Sequence, residues 1–445
     1  MKNFLKWAGV SIATVFLAFI AINLFDEGLD PQAAMFGKPR PPKVPDSENG
    51  YIALLAMDAS DGAVGIAYAN TWLDEARAAA RDGRRPSRTV SEQAKRPDLC
   101  DSREDSCLAV VREKGGQIAQ QLGLFTEDLA RYEALIAFKR FEEVLDYPFG
   151  LESDYPAYAS LTQAQRAYLL RVALDFEAGR VEDGIAALER ELAWQRLFLT
   201  ESRMLVSKMV AIASYWRALM FVRNLLETRS AELAPFLPRL KVMLGPLDSA
   251  VLSLPRVVEV EFGLVVAAYS KISPDRSDIG QLVNWHFGGG ALLYQPNATV
   301  NHAYRYYSTL GNLVFGAPAH LVVSEWKAFS GAWHDLPWWR CVYNPIGKIF
   351  LSVSMPDWND YALRMHDLDA LNRLVALRVE LLASGVSPEQ MAEIIAASDR
   401  RFHDPYTLRP MRRDTAKKRL YFEAGSKRIK ELKNGVEDGR VFMGL

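Results

Sequence analysis

The chain has 445 residues, 49% of them hydrophobic and 24% charged, with a formal net charge of −1. That balance excludes global disorder and, at roughly 150 residues per domain, corresponds to about two or three units. It lacks the surplus of positive charge that nucleic acid demands, and a mean hydropathy of −0.06 is too low for a chain that crosses a membrane many times.

The first element is apolar. Val10–Phe25 reads VSIATVFLAFIAINLF without a charge, and Phe4–Phe25 is interrupted only by Lys6. A span needs about 20 residues, and a lysine near its end reaches back to the headgroups. Lys2 and Lys6 precede the run, and Asp26 and Glu27 follow it. This order makes residues 1–28 a single transmembrane anchor, embedded through residues 4–25, with the N-terminus cytoplasmic and the remainder outside. A cleaved signal peptide has a similar profile but wants small residues one and three positions before the cut. Ala21 would pair with Phe19 and Ala18 with Phe16, so neither site suits.

Residues 29–49 carry Pro31, Pro39, Pro41, Pro42 and Pro45. Such density favours extended polyproline geometry. The expectation is a semi-rigid stalk that lifts the body off the bilayer.

Residues 50–402 are expected to form a helical body. Tyr51–Ala80 is Ala-rich and reads as two short helices separated at Asp61-Gly62, before a polar loop over Arg81–Asp105. Cys100 and Cys107 have six residues between them and no histidine in that stretch. A metal site needs more ligands. Outside the cytoplasm a local disulfide is the expectation, pinning a helix that starts near Leu108.

From Leu108 a helical period dominates. Leu129, Tyr132, Leu135 and Phe138 recur at three-residue steps within Thr126–Leu145. Ser160-Leu-Thr-Gln163 has the spacing of a capping box, opening a helix through Tyr168, Val172 and Phe176. Gly179-Arg180 breaks it, and Val181, Ile185, Leu188 and Leu192 stripe the next helix, with Ala173 and Ala186 as expected points of close approach. The pair resembles one tetratricopeptide-type unit over about 40 residues, but the fixed period does not recur. An irregular helical array, partly TPR-like, is therefore expected. Leu199–Thr228, with Met204, Met209 and Met220, reads as a long central helix. Pro235, Pro238, Pro246 and Pro255 cut the following stretch into shorter helices. Gly385 marks a helix stop, and Ser387-Pro388-Glu389-Gln390 a helix start.

The middle is aromatic. Trp326, Trp333, Trp338 and Trp339 fall within Trp326–Tyr343, and Trp285, His286, Phe287, Tyr294, Tyr304, Tyr306 and Tyr307 lie upstream. An ordinary core accounts for most of them. An exposed groove holding a few, the four tryptophans first, would suit recognition.

Candidates for catalysis are thin. The six histidines (His286, His302, His320, His334, His366 and His403) lack the spacing of a helical zinc site. GxSxG is missing, and Gly288-Gly289-Gly290 lacks the Lys-Ser/Thr of a phosphate loop. Glu259 and Glu261, two apart, would face different ways on a helix. Asp357 and Asp360, three apart with Tyr361 and His366 nearby, suit acid–base chemistry if burial splits their pKa values. An acid following Met355-Pro356 equally suits a helix N-terminus. Cys341 reads as a buried thiol or, with His334 as base, a nucleophile. No catalytic, cofactor or metal residue is assigned.

Residues 403–445 change character. Leu420-Tyr-Phe422 and Arg440–Met443 are strand candidates, so a small β-rich flap is expected. The basic run Lys417-Lys418-Arg419, Lys427-Arg428, Lys430 and Lys433 suits a solvated face or an anionic partner. The string DPYTLRPMRRD (Asp404–Asp414) followed by RLYF (Arg419–Phe422) is similar to the C-terminal ends of uncharacterised membrane-anchored proteobacterial proteins. PNATVN (Pro296–Asn301) and the cysteine pair resemble that group too. The group often carries glycine where this chain has Leu408, at an implied tight turn. The resemblance implies an envelope location and no particular activity.

The expected protein is thus a periplasmic helical body on one inner-membrane span, binding an envelope protein partner or supporting an assembly. An envelope hydrolase acting on cell wall or lipid, and a carrier with an apolar cavity near Met204–Met220, are the alternatives.

Overall fold

The computed structural model describes residues 2–38, 40–59, 65–82, 97–101, 103–104, 107–145, 155–270, 293–334, 342–354, 357–386, 390–432 and 435–445. It is mostly helical, with a small C-terminal antiparallel sheet.

Helix α1 (Lys2–Asn23) is almost wholly exposed along its apolar length. At 1.5 Å per residue it spans about 33 Å, the thickness of a bilayer's hydrocarbon core. Beyond it the proline-rich segment does not stand off from the body. Asp30 caps the short α2 (Pro31–Met35), Ala33 is buried, and the Phe36 ring packs edge-on against Phe262 and Tyr304. Farther on, Lys43 and Val44 donate their amides to the Glu142 carboxylate, and the Asn49 side chain donates to the Glu142 carbonyl and accepts from its amide. The expected stalk is a strap. Its prolines keep it extended, but apolar side chains and backbone amides find partners on the body at every few residues.

The body runs through α3 (Gly50–Leu55), α4 (Gly65–Arg81), α5 (Cys107–Leu122), α6 (Thr126–Ile136), α7 (Tyr158–Glu177), α8 (Val181–Glu201), α9 (Leu205–Thr228), α10 (Ser230–Leu233), α11 (Leu237–Met243) and α12 (Pro255–Ser270). Then come α13 (Pro296–Leu313), α14 (Ala319–His334), α15 (Pro345–Ser354), α16 (Trp358–Ala383) and α17 (Met391–Ala396). The separation expected at Asp61-Gly62 lies outside the described residues.

The α7–α8 hairpin forms where the period places it, with Gly179 just past α7. Its details differ. α7 starts at Tyr158, so Ser160 is a buried residue of the first turn and not a cap. Gly184 makes a close approach that the sequence does not single out: a Cβ there would stand 2.8 Å from the Phe176 ring. Nor is Leu199–Thr228 continuous. α8 ends at Glu201, and α9 opens after Met204, because distant carboxylates take the free amides of the new helix. Helix α9 is then central, packed among α7, α8 and α16. Its composition would also suit a span, but it is buried inside the body, as a core helix is.

The flap holds four strands in the order β1-β2-β4-β3: β1 (Arg412–Asp414), β2 (Arg419–Glu423), β3 (Val436–Glu437) and β4 (Arg440–Gly444). The central pair has Leu420 opposite Met443 and Phe422 opposite Val441, all buried against α9 and α16. Helix α18 (Lys427–Lys430) sits between β2 and β3.

Candidate functional site: the junction between the apolar helix and the body

Helix α1 ends on a buried asparagine. Asn23 is 0% exposed, although the residues before and after it face outward. A buried amide must satisfy its donors and acceptors or cost roughly 1–3 kcal/mol. Asn23 does so by bonding three chain segments. Its Nδ2 donates to the Phe19 and Val342 carbonyls, at 3.0 and 2.9 Å. Its Oδ1 accepts from the Asn344 amide at 2.9 Å, and its carbonyl accepts from Gln295 Nε2 at 2.5 Å. Asn344, in the left-handed region at φ 53°, returns Oδ1 to the Gln295 amide and Nδ2 to Thr299. Asparagine tolerates that conformation better than most residues.

The acids follow. Helix α13 opens on Pro296, leaving the next amides without helical partners. Asp26 fills that need from 271 residues away: its carboxylate accepts from the Asn297 and Ala298 amides at 2.7 and 3.0 Å. Asn301, one turn on, donates to Glu27 Oε1 and the Gly28 carbonyl and accepts from the Asp30 amide. Asn297 Nδ2 donates to the Glu27 carbonyl. The PNATVN string is therefore the receptor for the chain that leaves α1. Asp26 and Glu27, read from sequence only as charges beyond a span, are its ligands.

Other polar clusters are enclosed by the fold. Cys100 and Cys107 form a disulfide, with Cα atoms 5.7 Å apart. Asp101, inside the bridged loop, meets Arg103, Arg166 and Arg217. Burial opposes its ionisation, but the Arg103 hydrogen bond and the Arg217 charge outweigh it and hold Asp101 at about 2. Arg217 passes the chain of bonds to Gln165, then Glu191, which also takes Tyr132 and Gln195. At the start of α9, Glu143 accepts the Arg203 and Met204 amides, both at 2.8 Å, and Glu261 accepts that of Leu205. Burial pushes Glu143 up to about 7 and Lys208, beside it, down to about 7. Glu259 turns outward to Arg40, so this pair does face two ways.

The acid–base candidates are also accounted for. Asp360 binds Arg364 and the Lys427 amide, while Asp357 lacks a capping bond and pairs with the Lys427 ammonium. Burial holds His366 at about 4, neutral at physiological pH. His302, also held at about 4 by burial, packs against Trp333 at 4.8 Å. Trp326 and Trp333 are partly buried against Phe329 and Tyr306, so of the described pair neither stands free in a groove. Trp338, Trp339, Cys341, Trp285, His286 and Gly288–Gly290 lie outside the described residues, as does the side chain of His334. Among the described residues no three metal-type ligands converge. In the basic run, Lys417 and Arg419 both pair with Glu437.

Comparison of the chain with protein-family models, curated proteins and solved structures returns no match.

Proposed function

We propose that this is a single-span protein of a bacterial inner membrane, with a cytoplasmic N-terminus and a periplasmic body that binds an envelope protein or supports an assembly. The observation that carries the reading is the junction. An apolar helix of bilayer length, exposed all round, ends in a buried network that ties it to two segments of the body, at Gln295 and at Val342–Asn344. A carrier of soluble cargo gains nothing from such a tie. A scaffold does, since it must present one face at a set height and angle to its partner. The lysines before the helix and the acids after it support the orientation. The disulfide and the resemblance of the C-terminal and PNATVN motifs to membrane-anchored envelope proteins support the compartment.

The test is crosslinking in native membranes, with the intact chain compared against one lacking residues 1–25. A partner captured by the intact chain and lost with the truncation is the expected result. A partner captured equally by both, or activity of a cytoplasmic reporter fused after Leu445, would contradict it.

A further inference from the structure

Helix α15 is apolar on both of its faces. Of Pro345–Ser354, reading PIGKIFLSVS, only Lys348 is charged. One face is explained by packing. Gly347 meets α13 so closely that a Cβ there would stand on Thr299, and Leu351 is buried. The other face is not. Ile349 and Val353, one turn apart, are 57% and 80% exposed. Apolar side chains at that spacing form a stripe, and an exposed stripe of this kind has a use.

Its position tells what covers it. Helix α15 begins at the last turn of α1: Val342, Tyr343 and Asn344 bond Asn23, Phe25 and Glu27. From there it packs against the start of α13. Gly347 lies at Thr299, in the first turn of α13, whereas Phe350 packs against Tyr294, which precedes α13, and against Tyr269 at the end of α12. Helix α12 is antiparallel to α13, with Val258 at Gly311 and Phe262 at Tyr304. The end of α12, the start of α13 and α15 as far as Phe350 thus collect at the end of the body where α1 leaves. Leu24, Phe25 and Leu293 are exposed there as well.

We infer that this end of the body sits on the bilayer, with α15 lying in the headgroup–acyl boundary and Ile349 and Val353 inserted into it. The inference rests on the reading of α1 as a span. It adds a second, interfacial contact that the span does not require. Short apolar helices bind in that layer by burying one face, while lysine stems reach headgroups. Lys348 is held beside Tyr343 by a 2.7 Å bond from Nζ to the backbone carbonyl, at the level where α1 ends. Asp26 and Glu27, which would repel anionic lipid, are engaged by backbone amides and by Asn301.

The test uses the full chain carrying Cys341→Ser, with the disulfide intact. A bimane fluorophore is placed by Val353→Cys, Val15→Cys or Val323→Cys. The protein is reconstituted into phosphatidylethanolamine–phosphatidylglycerol vesicles, with and without lipids brominated along their acyl chains. Val323 is exposed and apolar like Val353, but lies on α14 opposite the far end of α13, about 27 Å from the junction. The Val353 label should lose about half its emission to shallow bromines and the Val15 label to deep ones, with Val323 unchanged. If Val15 is quenched and Val353 behaves as Val323 does, the interfacial contact is overturned and the span stands. If Val15 is not quenched, both fall. Equal quenching at Val353 and Val323 marks general adhesion and also overturns the inference.

Discussion

Single residues here solve problems set elsewhere in the chain. Glu143 is buried to cap a helix that starts 60 residues later. Its Oε2 takes two backbone amides, yet desolvation prevails and lifts its pKa from 4.5 to about 7. Between those values the folded chain holds a proton that the unfolded chain has released. Stability therefore falls as pH rises from about 4.5 to 7, and the cost is complete above that window. Glu143→Gln keeps an acceptor for the amides and never ionises. Denaturant unfolding in detergent should show the variant losing less stability than the wild type from pH 4.5 to 8, by roughly 3 kcal/mol for a group this buried. Parallel profiles for the two proteins would refute the assignment. Leu408 is the converse case. It adopts φ +56° in a turn closed by bonds between Asp404 and both Leu408 and Arg409, and its side chain is mostly exposed. A leucine in that region is strained, and little packing repays it. Leu408→Gly should raise stability by about 0.5–1 kcal/mol, read as a higher denaturation midpoint; a lower midpoint would mean the leucine packs more than its exposure suggests.

Among the elements, periodicity was a sound guide and sequence-local capping a poor one. The α7–α8 hairpin, the stops at Gly179 and Gly385, the buried course of α9 and the strands at Leu420–Phe422 and Arg440–Met443 could all be read from apolar spacing and turn residues. What failed were assignments that needed a partner from far away. Ser160 looked like a cap, but α7 starts earlier, and the carboxylates that open α9 and α13 come from Glu143, Glu261 and Asp26. No window of sequence holds both halves of such a pair. The same reason made the proline-rich strap look like a stalk: its prolines are local, and its contacts with Phe262, Tyr304 and Asn301 are not. The strap gives an element-scale prediction. Asp26→Ala should cost about 1–2 kcal/mol as a lost cap and speed amide exchange at Asn297, Ala298 and Asp30, while α9 keeps its protection. Unchanged exchange at those amides would show that the strap does not depend on the cap.

At the scale of the whole molecule, the apolar N-terminal helix and the helical class are legible in the sequence, but how the two join is not. PNATVN stood out as a string, yet its role appears only when Asn23, Asp26 and Glu27 are seen on it. If the apolar helix is a span, as proposed, that junction also orients the body against the membrane. Spin labels at Val15 and Val323, in the Cys341→Ser chain held in a lipid nanodisc, measure this directly by dipolar spectroscopy. A rigid junction gives one narrow distance distribution, which broadens when Asn23→Ala and Asn301→Ala are introduced together. A broad distribution in the unaltered junction, indifferent to those two substitutions, would contradict the account.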